Sequence, residues 1–226
     1  MSLRAIAAAV AAGLVFVSAS VFADQANIDV IDTFDNPEAL HLVSDPVPGK
    51  WSSHEGLFVL AVGIEKVVAL KDDWAIGRGD LDLPSGETKK NLTFEATGVN
   101  LSTGDRFLRM VTLRVTRGGI TVFGTVRAYK ENPADTTVKV DICLRRLGDT
   151  GPFSWTIATG QPIDGTGNLT LRLTGNNADL SFGAASTPSL DMGGTGDVTL
   201  CRLEIQGNPY LNARPTVNEV SAQSKD

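Results

Sequence analysis

Apolar and polar positions alternate with period two along most of this chain. In "TVKVDICLRRL", Val138, Val140, Ile142 and Leu144 fall on one side of an extended backbone, with Lys139, Asp141 and Arg145 on the other. "NLTLRL" repeats the pattern with Leu169, Leu171 and Leu173. Period two is the signature of a strand with one buried and one wet face. Runs of this kind, or short β-branched apolar runs, occur at "LFVLAV", "EKVVAL", "NLTFEAT", "FLRMVTLRVT", "GITVFGTVRAY", "TTVKVDICLRRL", "FSWTIAT", "NLTLRLT", "ADLSFG" and "DVTLCRLEI". Between them lie "GGI", "ENPADT", "GDTGP" and "TGNNAD", rich in the Gly, Asn and Asp that tolerate tight-turn backbone. Helical periodicity is nearly absent; the one short helix the pattern allows is "NPEALHLV", with Asn36 as cap and Pro37 in the first turn. About ten strands without interleaved helices predict an all-β, two-sheet antiparallel β-sandwich.

The start of the chain follows a different rule. "MSLRAIAAAVAAGLVFVSASVFA" places one Arg before an apolar run from Ala5 to Val17 and ends on small residues, the layout of a signal peptide cleaved after Ala23. No later segment is long and apolar enough to span a bilayer, so a secreted or periplasmic protein is expected. The expected organisation is a leader over 1–23, a single sandwich domain over 24–210 and a flexible C-terminal tail over 211–226. The balance of 20 Lys and Arg against 26 Asp and Glu, a net charge of −6, shows no concentrated basic run and argues against a nucleic-acid partner or an anionic membrane surface.

Two cysteines occur, Cys143 and Cys201. In an oxidising compartment such a pair invites a disulfide. Alternation opposes it, because Cys143 shares a face with Lys139, Asp141 and Arg145 while Cys201 shares one with Leu203 and Ile205; a bulge or a sheet edge would be needed to reconcile them.

The densest candidate chemistry is "LKDDWAIGRGDLDLPSGE", read as a loop between strands. Trp74 could stack on a sugar while Arg78, Asp80 and Asp82 bind its hydroxyls, with Gly77 and Gly79 allowing close approach. Asp72, Asp73, Asp80 and Asp82 could supply oxygens to calcium, although "GRGDLDL" misses the glycine-rich calcium repeat and a solvated acidic loop is the competing reading. Arg78-Gly79-Asp80 would act as an adhesion tripeptide only on an exposed loop. Trp51 is expected to cover a sheet end and Trp155 to lie in the core. The only histidines are His41 and His54, the latter placed in a surface turn, and no Gly-x-Ser-x-Gly elbow exists, so nucleophilic catalysis finds no support. No other cofactor is indicated.

"IDVIDTFDNPEALHLVSDPVPGKWSSHEGLFVL" resembles the opening of concanavalin A-like jelly-roll modules, in which an Asx-rich strand precedes a Trp and then a Gly-led strand. "GNLTLRLTGNNADLSFGAAS" is similar to the late strands of laminin-G-like sandwiches, and "GDVTLCRLEIQGN" to a closing strand. The resemblance implies a lectin-like jelly roll, and leaves function open. The Glu-x-Asp-x-x-Glu strand of the sandwich glucanases is absent. The expected function is therefore an exported, non-catalytic module binding carbohydrate or another extracellular polymer. A structural or interaction protein of the cell envelope, and a polysaccharide hydrolase or lyase with an unrecognised catalytic pair, are the alternatives.

Overall fold

The computed structural model describes residues 27–34, 50–62, 65–71, 74–84, 91–101, 108–130, 132, 134–135, 138–149, 156–157, 165–193, 196–207 and 214–224. These form seventeen strands. In chain order they are β1 (Asp29–Asp32), β2 (Trp51–Glu55), β3 (Leu57–Val62), β4 (Glu65–Leu70), β5 (Ile76–Leu81), β6 (Leu92–Asn100), β7 (Arg109–Arg117), β8 (Ile120–Tyr129) and β9 (Lys139–Arg146). There follow β10 (Thr156–Ile157), β11 (Thr166–Thr174), β12 (Asn177–Phe182), β13 (Ala185–Ser186), β14 (Leu190–Asp191), β15 (Val198–Gln206), β16 (Thr216–Val217) and β17 (Glu219–Ser224). All ten runs read from the alternation contain strands. Residues 1–23, expected to be a leader, the "NPEALHLV" segment, His41 and Trp155 lie outside the described residues.

The strands form two antiparallel sheets packed face to face. The ten-stranded sheet has the path β13-β12-β11-β6-β16-β4-β3, with β17 also on β6, β1 on β17 and β14 on β12. The seven-stranded sheet runs β10-β9-β8-β7-β15-β5-β2. Between them lies a continuous core to which Leu113, Val126, Ile142, Leu203 and Ile205 contribute from one sheet, and Phe94, Leu169, Leu171, Leu180 and Phe182 from the other. The sheets approach closely at Gly124, where an added Cβ would stand 2.5 Å from Leu180 Cδ1.

Four departures from the sequence reading have physical causes. Residues 216–224 are strands rather than tail: β17 pairs with β1 and β6, and buries Val220 and Ala222. The segment around Arg78-Gly79-Asp80 is strand β5 rather than loop, paired with both β15 and β2. Its two glycines suggested a turn, but the sheet needs them, since a Cβ on Gly79 would stand 2.5 Å from the Trp51 ring and one on Gly77 2.6 Å from the Gly56 carbonyl oxygen. His54, expected in a turn, is half-buried in β2.

The fourth concerns the cysteines, which are both free. Cys143 on β9 and Cys201 on β15 are separated by β8 and β7 and face opposite sides of the same sheet, Cys201 into the core and Cys143 outward. The alternation conflict was decisive, because no bulge turns either residue over. Burial pushes both thiols above their ordinary pKa, with Arg145 and Arg127 opposing the shift at Cys143. Raised thiols hold little thiolate and react slowly. Native protein should therefore label slowly with a thiol reagent, unfolded protein should show both thiols without reduction, and dithiothreitol should leave the melting temperature unchanged.

Candidate functional site

The core side of the seven-stranded sheet is filled by the apolar positions of each strand, so the intervening residues face solvent. Antiparallel register aligns them in rows across the strands. One row is Asp141, Arg127, Met110, Gln206 and Ile76, on β9, β8, β7, β15 and β5 in turn. The next is Cys143, Thr125, Thr112, Glu204 and Arg78 on the same five strands, continuing to Glu55 on β2. The third is Arg145, Phe123, Arg114, Arg202 and Asp80. The middle row begins with three short side chains, and the rows beside it carry long ones. The result is a cleft of about 390 Å³ with Cys143, Thr125 and Thr112 among its lining, and Arg127, Met110, Phe123 and Arg145 around them.

The polar groups here are extensively cross-linked. Thr112 and Thr125 hydroxyls lie 3.0 Å apart, and Thr116 and Thr121 repeat the pairing at 2.8 Å. Arg127 Nη2 donates to Asp141 Oδ2 at 2.8 Å and its Nε to the same oxygen at 3.2 Å, while its guanidinium lies over the Tyr129 ring at 4.4 Å. Asp141 is almost completely buried, and its other oxygen has no hydrogen-bond partner. Arg202 grips both oxygens of Asp80, with Nη2 to Oδ2 at 2.7 Å; that hydrogen bond, reinforced by the charges of Asp80, Glu204 and Glu55, raises the arginine's pKa against the opposing effect of burial. Arg114 Nη1 approaches Glu204 Oε1 at 3.8 Å.

The residues predicted from sequence divide between this face and its surroundings. Arg78 and Asp80 stand on it at the β5 edge, Arg78 paired with Glu55 at 2.6 Å and Asp80 held by Arg202. An adhesion tripeptide on an exposed loop is not what the fold presents, because Gly79 is buried beneath Trp51 within a paired strand. Trp74 precedes β5, half-buried against the core and over Gly56, rather than standing as an open platform. Asp82 is exposed just past the end of β5, where its backbone N–H donates to the Lys50 carbonyl. Asp72 and Asp73 lie outside the described residues. Among the described residues no group of three or more His, Cys, Asp or Glu is placed to hold a metal ion, and Asp80 already spends both oxygens on Arg202. Phe123, Thr125, Arg127, Arg145 and Gln206 are cleft residues that the sequence reading did not single out. Alternation placed Arg145 on a polar face, but nothing local joins it to Arg114 across three strands.

This architecture is a concanavalin A-like jelly-roll β-sandwich. No protein-family model and no curated protein matches the sequence. Solved structures match the fold at low identity. The CBM2 module of the evolved Dit of Lactobacillus casei BL23 phage J-1 aligns with a TM-score of 0.52 at 11% identity, covering 89% of this chain and 98% of that one. An immunostimulatory antigen and pseudo β-1,3-glucanase of Mycobacterium tuberculosis aligns with a TM-score of 0.50 at 13% identity, covering 88% and 99%. A family 16 endo-glucanase of Bacteroides ovatus aligns with a TM-score of 0.49 at 12% identity, covering 85% and 98%.

Proposed function

We propose that this protein is an exported, non-catalytic module that binds a polysaccharide across the solvent face of its seven-stranded sheet. The observation that carries the reading is the chemistry of the cleft. Paired threonine hydroxyls, the Gln206 amide and the Phe123 ring offer hydrogen bonds and an apolar surface to a sugar, the combination that saccharide sites use. Glycoside hydrolysis needs two carboxylates facing each other across a gap. Here Asp80 has both oxygens on Arg202, Asp141 is buried under Arg127, and Glu204 stands beside Arg114. The binding surface is accordingly the cleft rather than the segment around Trp74 and Asp82, and Arg78 and Asp80 form its rim. Export rests on the leader-like first residues; among the described residues no helix is long and apolar enough to cross a membrane.

The test is a calorimetric screen against a polysaccharide panel, followed by Thr112→Val/Thr125→Val. Replacing both members of a hydroxyl pair with isosteric valines leaves no orphaned partner, so the fold should persist. Two hydroxyls lost to the ligand should weaken binding about tenfold or more. Asp82→Asn should leave binding unchanged. Full affinity in the double valine variant would remove the cleft from consideration.

A further inference from the structure

We infer that the cleft reads the acetamido group of an N-acetylated amino sugar in the bound polysaccharide, through Met110, Gln206 and Ile76. The inference rests on the polysaccharide-binding reading and narrows it. Register sets these three residues side by side on β7, β15 and β5, because Gln206 pairs with Met110 on one side and with Ile76 on the other. All three line the cleft. Adjacent strands lie about 5 Å apart, so an amide stands between two apolar side chains within the span of a single sugar unit.

Ile76 is 41% exposed, and Met110 is half-buried. Both leave aliphatic surface in water inside a concavity, where a ligand can cover it. The Gln206 side chain, also half-buried, carries both a donor and an acceptor. A ring hydroxyl could bond to that amide but would leave the two apolar side chains wet. The methyl of a deoxy sugar would cover an apolar side chain and give the amide nothing. An O-acetyl ester brings a methyl and an acceptor without a donor. An acetamido group brings all three: its N–H and C=O match the Gln206 acceptor and donor, and its methyl, bonded to the carbonyl carbon, turns toward Met110 or Ile76. The group is also uncharged, which suits a cleft whose acids face arginines, Asp141 beneath Arg127 and Glu204 beside Arg114. The Thr112 and Thr125 hydroxyls, one row away, remain for the rest of the ring.

The experiment measures affinity by calorimetry for chitohexaose, an unsulfated chondroitin hexasaccharide, cellohexaose and O-acetylated cellohexaose, with native protein, Ile76→Thr, Met110→Gln and Gln206→Leu. The first two probes carry acetamido groups on different linkages. The expected result is that one or both bind about tenfold or more tighter than cellohexaose, and tighter than its O-acetyl form, for one methyl buried and two hydrogen bonds made. Gln206→Leu should cut that preference about tenfold, and Ile76→Thr or Met110→Gln, according to the side the methyl takes, about three- to tenfold. Cellohexaose affinity should change little in all three. Each replacement keeps close to the original side-chain size at an exposed or half-buried position, so the fold should persist. Equal affinity for cellohexaose and the acetamido probes would overturn the assignment while sparing the polysaccharide reading. Preference for the O-acetyl form, or an acetamido preference untouched by all three variants, would overturn it in the same way. If none of the four binds, the ligand found in the wider panel decides: one without acetamido groups overturns the assignment, and one that carries them upholds it if Gln206→Leu weakens binding and overturns it otherwise. No ligand in the panel at all would overturn both readings.

Discussion

Asp32→Ala should lower stability by about 3 kcal/mol, the loss of two hydrogen bonds to a buried carboxylate with both donors left behind. Asp32 is buried at the end of β1, and Trp51 Nε1 donates to its Oδ2 at 2.6 Å while the Phe34 backbone N–H donates to Oδ1 at 2.9 Å. Lys50 adds an ion pair at 3.4 Å, exposed enough at the lysine end to contribute little. The carboxylate thus joins three things the fold needs together. It holds Phe34 in a left-handed backbone conformation, φ 57°, that a bulky residue seldom adopts. It fixes the Trp51 ring that stacks on Phe34, centroids 6.4 Å apart, and that covers Gly79. It also ties the end of β1 to Trp51 on β2, while β1 pairs along β17 and, at the start of β1, Ile28 N–H donates to Ser224 Oγ at 2.8 Å. For a chain of this size the loss corresponds to roughly a 6–12 °C fall in melting temperature. Amide exchange should accelerate first over 29–32 and 216–224; a variant that melts within a degree or two of the native protein would show that the Trp51 contact is ornamental.

The same residues show what the sequence could and could not reveal. Every strand with clean alternation was legible, because burial of one face is written locally into the order of residues. Strand β5 was not, since Ile-Gly-Arg-Gly-Asp-Leu carries two residues of poor strand propensity; the reason for them is the Trp51 ring and the Gly56 backbone on the neighbouring strands, tertiary facts with no local signature. The C-terminal strand β17, Glu-Val-Ser-Ala-Gln-Ser, alternates only small apolar residues, and its pairing with residues near the other end of the chain is equally invisible from within. The cleft follows the same logic. Charge counting along the chain found no basic cluster, and none exists in sequence; Arg114, Arg145 and Arg202 meet only because β9, β8, β7 and β15 lie side by side in register. Even the cysteine pair, which composition favoured, was decided by the facing of each residue on its strand.

Arg127→Ala should cost about 3–5 kcal/mol, because it removes the partner of a buried charge rather than one end of a surface ion pair. Asp141 is 1% exposed, and both hydrogen bonds from Arg127 converge on Oδ2 while Oδ1 has none. Without the guanidinium the carboxylate would lie in the sheet with no donor on either oxygen, and the Arg127 stem would no longer cover Tyr129. The cost therefore belongs mostly to the stranded acid. Asp141→Asn in the same background should recover most of it, since an amide is far less costly to bury than an unpaired carboxylate. A double-mutant cycle read from urea unfolding gives the coupling directly, expected at about 2 kcal/mol or more for groups in such contact. Additive losses would mean that Asp141 finds another donor once Arg127 is gone. The outcome bears on the cleft as well, because Arg127 and Arg145 flank Cys143 and both line the proposed binding surface. Affinity for a polysaccharide that binds the native protein, lost in Arg127→Ala but regained with Asp141→Asn, would assign Arg127 a role in holding the sheet. Loss that persists after stability is restored would place its guanidinium in direct contact with the glycan.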